Sequence, residues 1–243
     1  SEMAREIEEM NHRRREVDEA TTNEALIQLE QEPEDSFCNV VHGTDWHRGV
    51  VGIVASRMIE HRYRPSVVLS EENGVLIGSA RSVDGVDIHE AIEACEDLML
   101  QFGGHTMAAG LSLELTHLDA FKKRLNEAIK AQLKGTPPKP IIRCDREVHI
   151  SELSLEALKE LEQLEPFGPG NATPVFILRS VVSVRPPRTI GNQGRHLKIT
   201  IRDPEFDGPT IDAIGWNMGE MAPQIKQNIP IDLAFTLVKN TWK

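Results

Sequence analysis

The stretch QFGGHTMAAGLSLEL, residues 101–115, decides how the middle of this chain is read. GLSLEL (110–115) alternates apolar and polar positions, the period of a strand with one buried face. Just before it, Gly103, Gly104, His105, Ala108, Ala109 and Gly110 strip the chain almost bare of side chains. FGGH therefore has two readings. It is a glycine turn with a hydrogen-bonded histidine packed against the strand. Alternatively, it is a turn that lets a phosphate reach the backbone N–H groups directly, with His105 donating to the same anion.

Outward from this stretch, strands and helices alternate from Phe37 to Lys134. FCNVV (37–41), SVVLS (66–70) and VLIGSARS (75–82) have the composition of strands. GVVGIVASRMIE (49–60) predicts an apolar-faced helix, and Asp87 with Glu90 predicts a capping box for a helix over 88–99. LDAFKKRLNEAIKAQL (118–133) predicts another helix, with Thr116 as its cap. Upstream, residues 3–30 read as one long helix whose apolar stripe (Met3, Ile7, Met10, Val17, Leu29) is thin, until Pro33 stops it. The Gly/Pro run GTPPKP (135–140) marks a boundary.

Beyond the boundary the pattern changes to short strands, near 141–148, 175–184, 196–202, 210–216 and 231–238. Helices at 154–164 and 217–227 and the loop EPFGPGNATP (165–174) interrupt them. Such a pattern predicts a small β-barrel of the oligonucleotide-binding type. The expected division is a linker helix over 1–36, an α/β domain over 37–136 and a barrel domain over 137–243.

Hydrophobic residues make up 40% of the 243 positions and charged residues 27%, as in globular proteins. No apolar run approaches the roughly 18–20 residues of a membrane span. The cysteines Cys38, Cys95 and Cys144 are far apart, which fits a reducing cytoplasm and neither a disulfide framework nor a zinc ribbon. The net charge of −11 is unevenly spread: residues 1–35 hold 12 acidic against 4 basic residues, a balance of −8. Between Pro166 and Arg202 there is no acidic residue, while Arg179, Arg185, Arg188, Arg195, Lys198 and Arg202 give +6. A chain with an acidic arm and a basic face can bind a polyanion.

Two further segments suit an anion. In the strand over 75–82, Ser79 and Arg81 are two apart and share a face, placing a hydroxyl beside a guanidinium that can donate two parallel bonds. The plainer reading is an edge strand with its polar side to water. Trp46, His47 and Arg48 precede a helix that opens at Gly49, where free N–H groups and the helix dipole favour negative charge. There Trp46 either stacks on a base or plugs the core, and His47 either meets a phosphate or caps the helix. No P-loop, nucleophile elbow, zinc spacing or Asp/His set for a two-metal site is present. The pattern is that of a binding half without its chemical half.

WHRGVVGIVASRMIE, GSARSVDG and FGGHTMAAGLSL, in this order and spacing, resemble the DHH-associated domain of the RecJ family of single-strand-specific 5′→3′ DNA exonucleases. EEMNHRRREVDEA is similar to the helix that bridges the family's catalytic DHH domain to this one, with Asn11 and Arg14 in the N-x-x-R positions. EPFGPGN and RHLKITI resemble the oligonucleotide-binding domain that follows. The resemblance covers nearly the whole chain and identifies it as a C-terminal part of such an enzyme, ending at KNTWK one barrel strand early.

The resemblance implies a role in DNA repair and recombination. Ser79 and Arg81 would grip the terminal 5′-phosphate with Gly103, Gly104, Trp46, His47 and Arg48 around it, while His105 steadies the phosphodiester in a supporting catalytic role. Arg14 would reach the DNA backbone. Arg179, Arg185, Arg188, Arg195, Lys198 and Arg202 would form a track for the strand, with Trp46, Phe167, Phe176 and Trp216 as the available stacking rings. Partners would be single-stranded DNA and the enzyme's own DHH domain, with a single-strand-binding protein as a further candidate and no membrane. Mn²⁺ or Mg²⁺ would be held by the DHH domain and no cofactor by this part, which by itself would bind DNA and not cut it. Two alternatives compete: a DHH phosphodiesterase for oligoribonucleotides or cyclic dinucleotides, which FGGH fits equally well, and a non-enzymatic tRNA- or protein-binding module.

Overall fold

A computed structural model describes residues 2–240, which divide into two compact units between Pro140 and Ile141. The first opens with α1 (Glu2–Leu29), followed by β1 (Asn39–Thr44), α2 (Val51–His61), β2 (Ser66–Glu72) and β3 (Val75–Arg81). Then come α3 (Ile88–Glu93), β4 (Met99–His105), β5 (Ala108–Glu114) and α4 (Leu118–Gln132). The five strands make one sheet in the order β1-β2-β3-β5-β4, with β1 and β2 parallel and every other pair antiparallel.

Side-chain patterning explains which faces are covered. β2 is buried at Ser66, Val67, Val68, Leu69 and Ser70, a continuous run that suits a strand packed on both sides. On one side Val67, Leu69, Leu76, Ala109, Leu111 and Leu113 meet α3 and α4, with Phe121, Leu125 and Ile129 fully enclosed. On the other, Val41 and Val68 meet Val51, Val54, Ala55 and Met58 of α2 together with Ala25 and Leu29 at the end of α1. β5 alternates: Ala109, Leu111 and Leu113 are buried, whereas Gly110 and Glu114 are exposed. Beside it, Gln101, Gly103 and His105 of β4 are exposed too. The α2 side of the sheet is thus packed over β1 and β2 and open over β4 and β5.

FGGH is accordingly no turn; it is the end of β4, and the turn is Thr106–Met107. The helix expected over 88–99 ends at Glu93, because the chain passes through a 3-10 turn at 96–98 to enter β4. Half of its predicted capping box is present: the Asp87 N–H donates to Gln132 Oε1 at 2.8 Å and not to Glu90, whereas the Asp87 carboxylate accepts from the Glu90 N–H at 3.1 Å. That contact, aided by the Thr106 hydroxyl, holds the Asp87 carboxyl below the usual range. Thr116 does not cap α4; its hydroxyl donates to Glu114, and His117 precedes the helix. In α1, residues 3–17 are exposed, and the helix meets the unit from Asp18 onward, where the buried carboxylate pairs with Arg57 at 2.6 Å.

The second unit contains β6 (Arg146–Glu147), α5 (Leu155–Glu162), β7 (Phe176–Ser183), β8 (Arg188–Ile190), β9 (His196–Arg202), β10 (Ile211–Gly215) and β11 (Pro230–Phe235). Leu178, Val181, Leu197, Ile199, Ile201 and Ile150 form its core. The sheet runs β10-β9-β7-β11, with β6 on β7 and β8 on β9, and does not close into the expected barrel among the described residues. The strand expected over 141–148 shrinks to two residues, since Ile141 and Ile142 are exposed and only Arg146 and Glu147 find a partner strand. The helix expected over 217–227 is a 3-10 segment, 219–224, interrupted by Pro223, which has no N–H to donate. Most of KNTWK lies outside the described residues.

Candidate nucleic-acid interface

Strand register builds the site. In β3, β5 and β4, directly opposed residues share a face. Arg81 opposes Ala108, which opposes His105; Ser79 opposes Gly110, which opposes Gly103. Two rows therefore run across the open side of the sheet. One carries Arg81 and His105 at its ends, about 10 Å apart at the backbone for two strand spacings. The other carries Ser79 at one end and glycines for the rest.

The helical wall of this surface is the first turn of α2. A side chain at Gly52 would lie 2.7 Å from Arg81 Nη2 and 3.4 Å from Ser79 Oγ, so hydroxyl and guanidinium both lie against that turn. Arg81 is held there by donating from Nη1 to its neighbour's carbonyl, Ala80, at 2.8 Å. At this helix end the Gly49, Val50 and Ile53 N–H groups are already bonded, to His47 and to the Val50 carbonyl, and those of Val51 and Gly52 have no intrahelical acceptor, so donors of three kinds meet here. The helix opens at Val51, not at Gly49, and has no side-chain cap; His47 Nδ1 accepts from the Gly49 N–H at 3.0 Å in the turn before it, while the ring stays exposed. Arg48 points to Glu72 and forms an exposed ion pair with it.

The glycines of the floor differ sharply from one another. A side chain at Gly104 would overlap the Ala108 carbonyl oxygen, and one at Gly78 would overlap that of Val68, so packing alone explains both. Gly103 has nothing within 4 Å of its missing side chain, and Gly110 only the Gly78 carbonyl oxygen at 3.9 Å. These two are paired with each other, and nothing within the fold needs either to be glycine. Glycine in a strand is disfavoured by about 0.5–1 kcal/mol against alanine. A surface kept bare at that cost suits a ligand that approaches the backbone closely.

Trp46 is corrected by the structure. It is 5% exposed, packs between Val41, Val68 and α2, and donates from Nε1 to Glu24 Oε2 at 2.8 Å. It plugs the core and cannot stack on a base. Arg14 lies in the exposed stretch of α1, one turn before Asp18, and makes no ion pair among the described residues. No contact links it to Ser79, Arg81 or His105. Gly52 and Gly110 belong to the site although the sequence reading did not assign them. The exposed position of Gly110 was recoverable from the alternation of GLSLEL, but that of Gly52 was not.

In the second unit, Arg188, Lys198 and Arg202 share the outer side of β8 and β9, opposite the inward Leu197, Ile199 and Ile201. Arg195 is exposed just before β9, and Arg185 borders a recess with Thr200 and Asp212. Arg179 departs from this group. It donates to Asp232 at 2.6 Å and Glu147 at 3.3 Å, and these carboxylates raise its pKa. Lys198 is likewise paired, with Asp212 at 2.7 Å, which keeps that carboxyl below its ordinary range. The arginines of this basic stretch that make no ion pair among the described residues are therefore Arg185, Arg188, Arg195 and Arg202. Of the candidate stacking rings, Phe176 packs against Phe235 and Phe167 is half-buried, whereas Trp216 is 59% exposed.

The first unit is thus an α/β domain whose bare sheet surface lies beside a hydroxyl, a guanidinium and a helix N-terminus, and it is followed by an open β-sheet unit with a basic face. Residues 34–131 match the DHHA1 domain, and residues 144–243 match the RecJ OB domain. The chain is 34% identical to the single-stranded-DNA-specific exonuclease RecJ of Bacillus subtilis, over 99% of this chain and 30% of that protein. With the RecJ of Salmonella typhimurium the identity is 31%, over 99% of this chain and 42% of the relative. The crystal structures of Thermus thermophilus RecJ in complex with Mg²⁺ and with Mn²⁺ each superimpose with a TM-score of 0.76 at 28% identity. They cover 98% of this chain, and this chain covers 35% and 33% of them. The chain belongs to the RecJ family and spans well under half the length of these relatives. No described helix is long and apolar enough to cross a membrane.

Proposed function

We propose that this chain is the substrate-holding part of a 5′→3′ single-stranded-DNA exonuclease. The first turn of α2, Ser79 and Arg81 bind the terminal 5′-phosphate. The Gly103–Gly110 floor lets the sugar-phosphate backbone lie against the sheet, and His105, at the far end of the Arg81 row, hydrogen-bonds the phosphodiester and steadies it. Gly104 shapes β4 for this role and His47 fixes the turn that leads into α2. The basic face of the second unit guides the following nucleotides by charge, which gives sequence-tolerant, salt-sensitive binding. Single-strand selectivity then needs no reading of base edges.

The observation that carries this reading is the convergence of Ser79, Arg81 and the α2 terminus beside two glycines that the fold itself does not require. Two solved relatives hold Mg²⁺ or Mn²⁺. Among the described residues no group of three His, Cys, Asp or Glu side chains is arranged to hold a metal ion, so no hydrolytic step is derived from them. Hydrolysis is assigned to the metal-binding DHH domain of the enzyme. Work in repair and recombination, in the cytoplasm, belongs to the same proposal.

Binding of 5′-phosphorylated and 5′-hydroxyl oligonucleotides to the full chain and to its Arg81→Ala variant tests the assignment. Charge-assisted bonds contribute about 1.5–3 kcal/mol each, so the phosphate preference should fall roughly 10- to 150-fold. A preference that survives Arg81→Ala refutes the role given to Arg81. A second reading, hydrolysis of short oligoribonucleotides or cyclic dinucleotides, shares the glycine floor. The basic face of the second unit disfavours it, because a dinucleotide needs no extended track.

A further inference from the structure

On the outer side of the second unit, Arg188, Lys198 and Ile214 form a row across β8, β9 and β10, and beside it Ile190 opposes His196, whose ring meets that of Trp216 in the turn just past β10. Trp216 follows Gly215, which opposes the buried Leu197, so its indole stands on the outward face beside His196. The two rings meet at 4.9 Å with an interplanar angle of 77°. An edge-to-face contact of this kind occupies at most one side of the indole and leaves the other to solvent, in keeping with its 59% exposure.

The histidine is itself fixed from two further directions. Its Nδ1 accepts the Asn217 N–H at 3.0 Å, which places the ring proton on Nε2. Its ring lies over Gly191, where φ is +82° and a Cβ would sit 2.7 Å from His196 Cδ2. An exposed tryptophan braced by a ring that is locked by a backbone N–H and a glycine turn has little rotational freedom left to lose on binding. Beside it, Arg195 precedes His196 and Arg188 opposes Lys198, whereas Arg202 lies about 20 Å away at the far end of β9. None of the three makes an ion pair among the described residues, and Asp212, the acid of this face, is already paired with Lys198.

We infer that Trp216, held by His196, is a stacking platform for one base of a single strand whose nearby phosphates are met by Arg188 and Arg195, with Arg202 farther along β9 meeting a more distant one. The ring supplies a sequence-tolerant contact, since every base has a π-face, and the arginines supply the charge complementarity that an apolar protein partner would not require. The contact fixes the register of the strand on the second unit. This rests on the single-strand-binding reading above and adds to it a defined base position. His196 acts as a positioning residue.

The test measures, in the presence of a chelator so that nothing is cleaved, binding of the full chain to oligonucleotides carrying one abasic site walked along the strand. Wild type, Trp216→Leu and Trp216→Phe are compared. The wild type should lose about 5- to 150-fold at one register of the abasic site and little elsewhere. Trp216→Leu, which keeps apolar bulk, should bind the intact strand more weakly by a similar factor and no longer sense the abasic position; Trp216→Phe should retain much of both. Tight single-strand binding by the wild type with no abasic-sensitive register overturns the platform while leaving the single-strand reading in place. So does a Trp216→Leu variant that binds and discriminates like wild type, including one whose only defect is loss of a protein partner. Failure of the wild type to bind single strands at all overturns the functional reading, and the platform with it.

Discussion

Gly103 and Gly104 are adjacent in sequence and should respond in opposite ways to the same substitution. At Gly104 an alanine methyl would overlap the Ala108 carbonyl oxygen and lie 2.8 Å from the Ala109 side chain, both in the neighbouring strand. Forcing β4 and β5 apart to admit it should cost about 1–3 kcal/mol, as for overpacked interiors. At Gly103 the methyl would enter open space. Gly103→Ala should therefore leave stability unchanged or raise it by about 0.5–1 kcal/mol, by reducing the freedom of the unfolded chain. DNA binding should show a different order. Gly103→Val raises the floor beside His105, across Gly110 from Ser79, displaces the backbone of the DNA strand, and should weaken binding of a 5′-phosphorylated oligonucleotide by about tenfold or more. Denaturant midpoints at constant slope measure the first effect and fluorescence anisotropy the second. If Gly103→Ala destabilises as much as Gly104→Ala, the open floor is wrong. If Gly103→Val binds as tightly as wild type, no ligand lies on it.

Two other outcomes are expected. Arg188→Ala should reduce the slope of log affinity against log salt by about one, whereas Arg179→Ala, whose charge Asp232 and Glu147 already neutralise, should leave it nearly unchanged; equal slopes in the two variants would refute the division of the track. Burial pushes the Cys38 thiol up to about 12 and the Cys95 thiol up to about 11, against an ordinary value of 9.0. Their protonated forms therefore favour the folded state below about pH 9, and this contribution is lost as pH climbs through the raised values. Cys38→Ala should flatten the alkaline fall in stability followed by denaturant titration, and an unchanged slope would contradict the burial.

Much of the local structure was legible because local chemistry sets it. The alternation in VLIGSARS and GLSLEL marked two strands, HLKITI marked β9 with its bounds intact, and Asp87 announced the start of α3 three residues before the N–H it accepts. Where local signals met distant partners, the reading failed. The segment 141–148 has the composition of a strand, but Ile141 and Ile142 are exposed and only Arg146 and Glu147 pair with another strand; Trp46 had two readings until Glu24 and α2 enclosed it. The two glycines of FGGH read as a turn because a sequence does not reveal that one of them faces the backbone of a strand still to come.

The amino-acid sequence by itself determined the kinds of group on offer: a hydroxyl and a guanidinium two residues apart, a pair of glycines beside a histidine, and a stretch without acids. Period and composition suffice for that, since they act between near neighbours. Which groups face one another was decided by the tertiary structure. Register across β3, β5 and β4 puts Ser79 in line with Gly110 and Gly103, and packing of α2 on the sheet brings Gly52 under Arg81. Distant ion pairs removed Arg179 and Lys198 from the free charge that the composition had counted. Such pairings bring together residues tens of positions apart, and their geometry comes from burying two apolar faces of one sheet, a constraint that no short window of sequence contains.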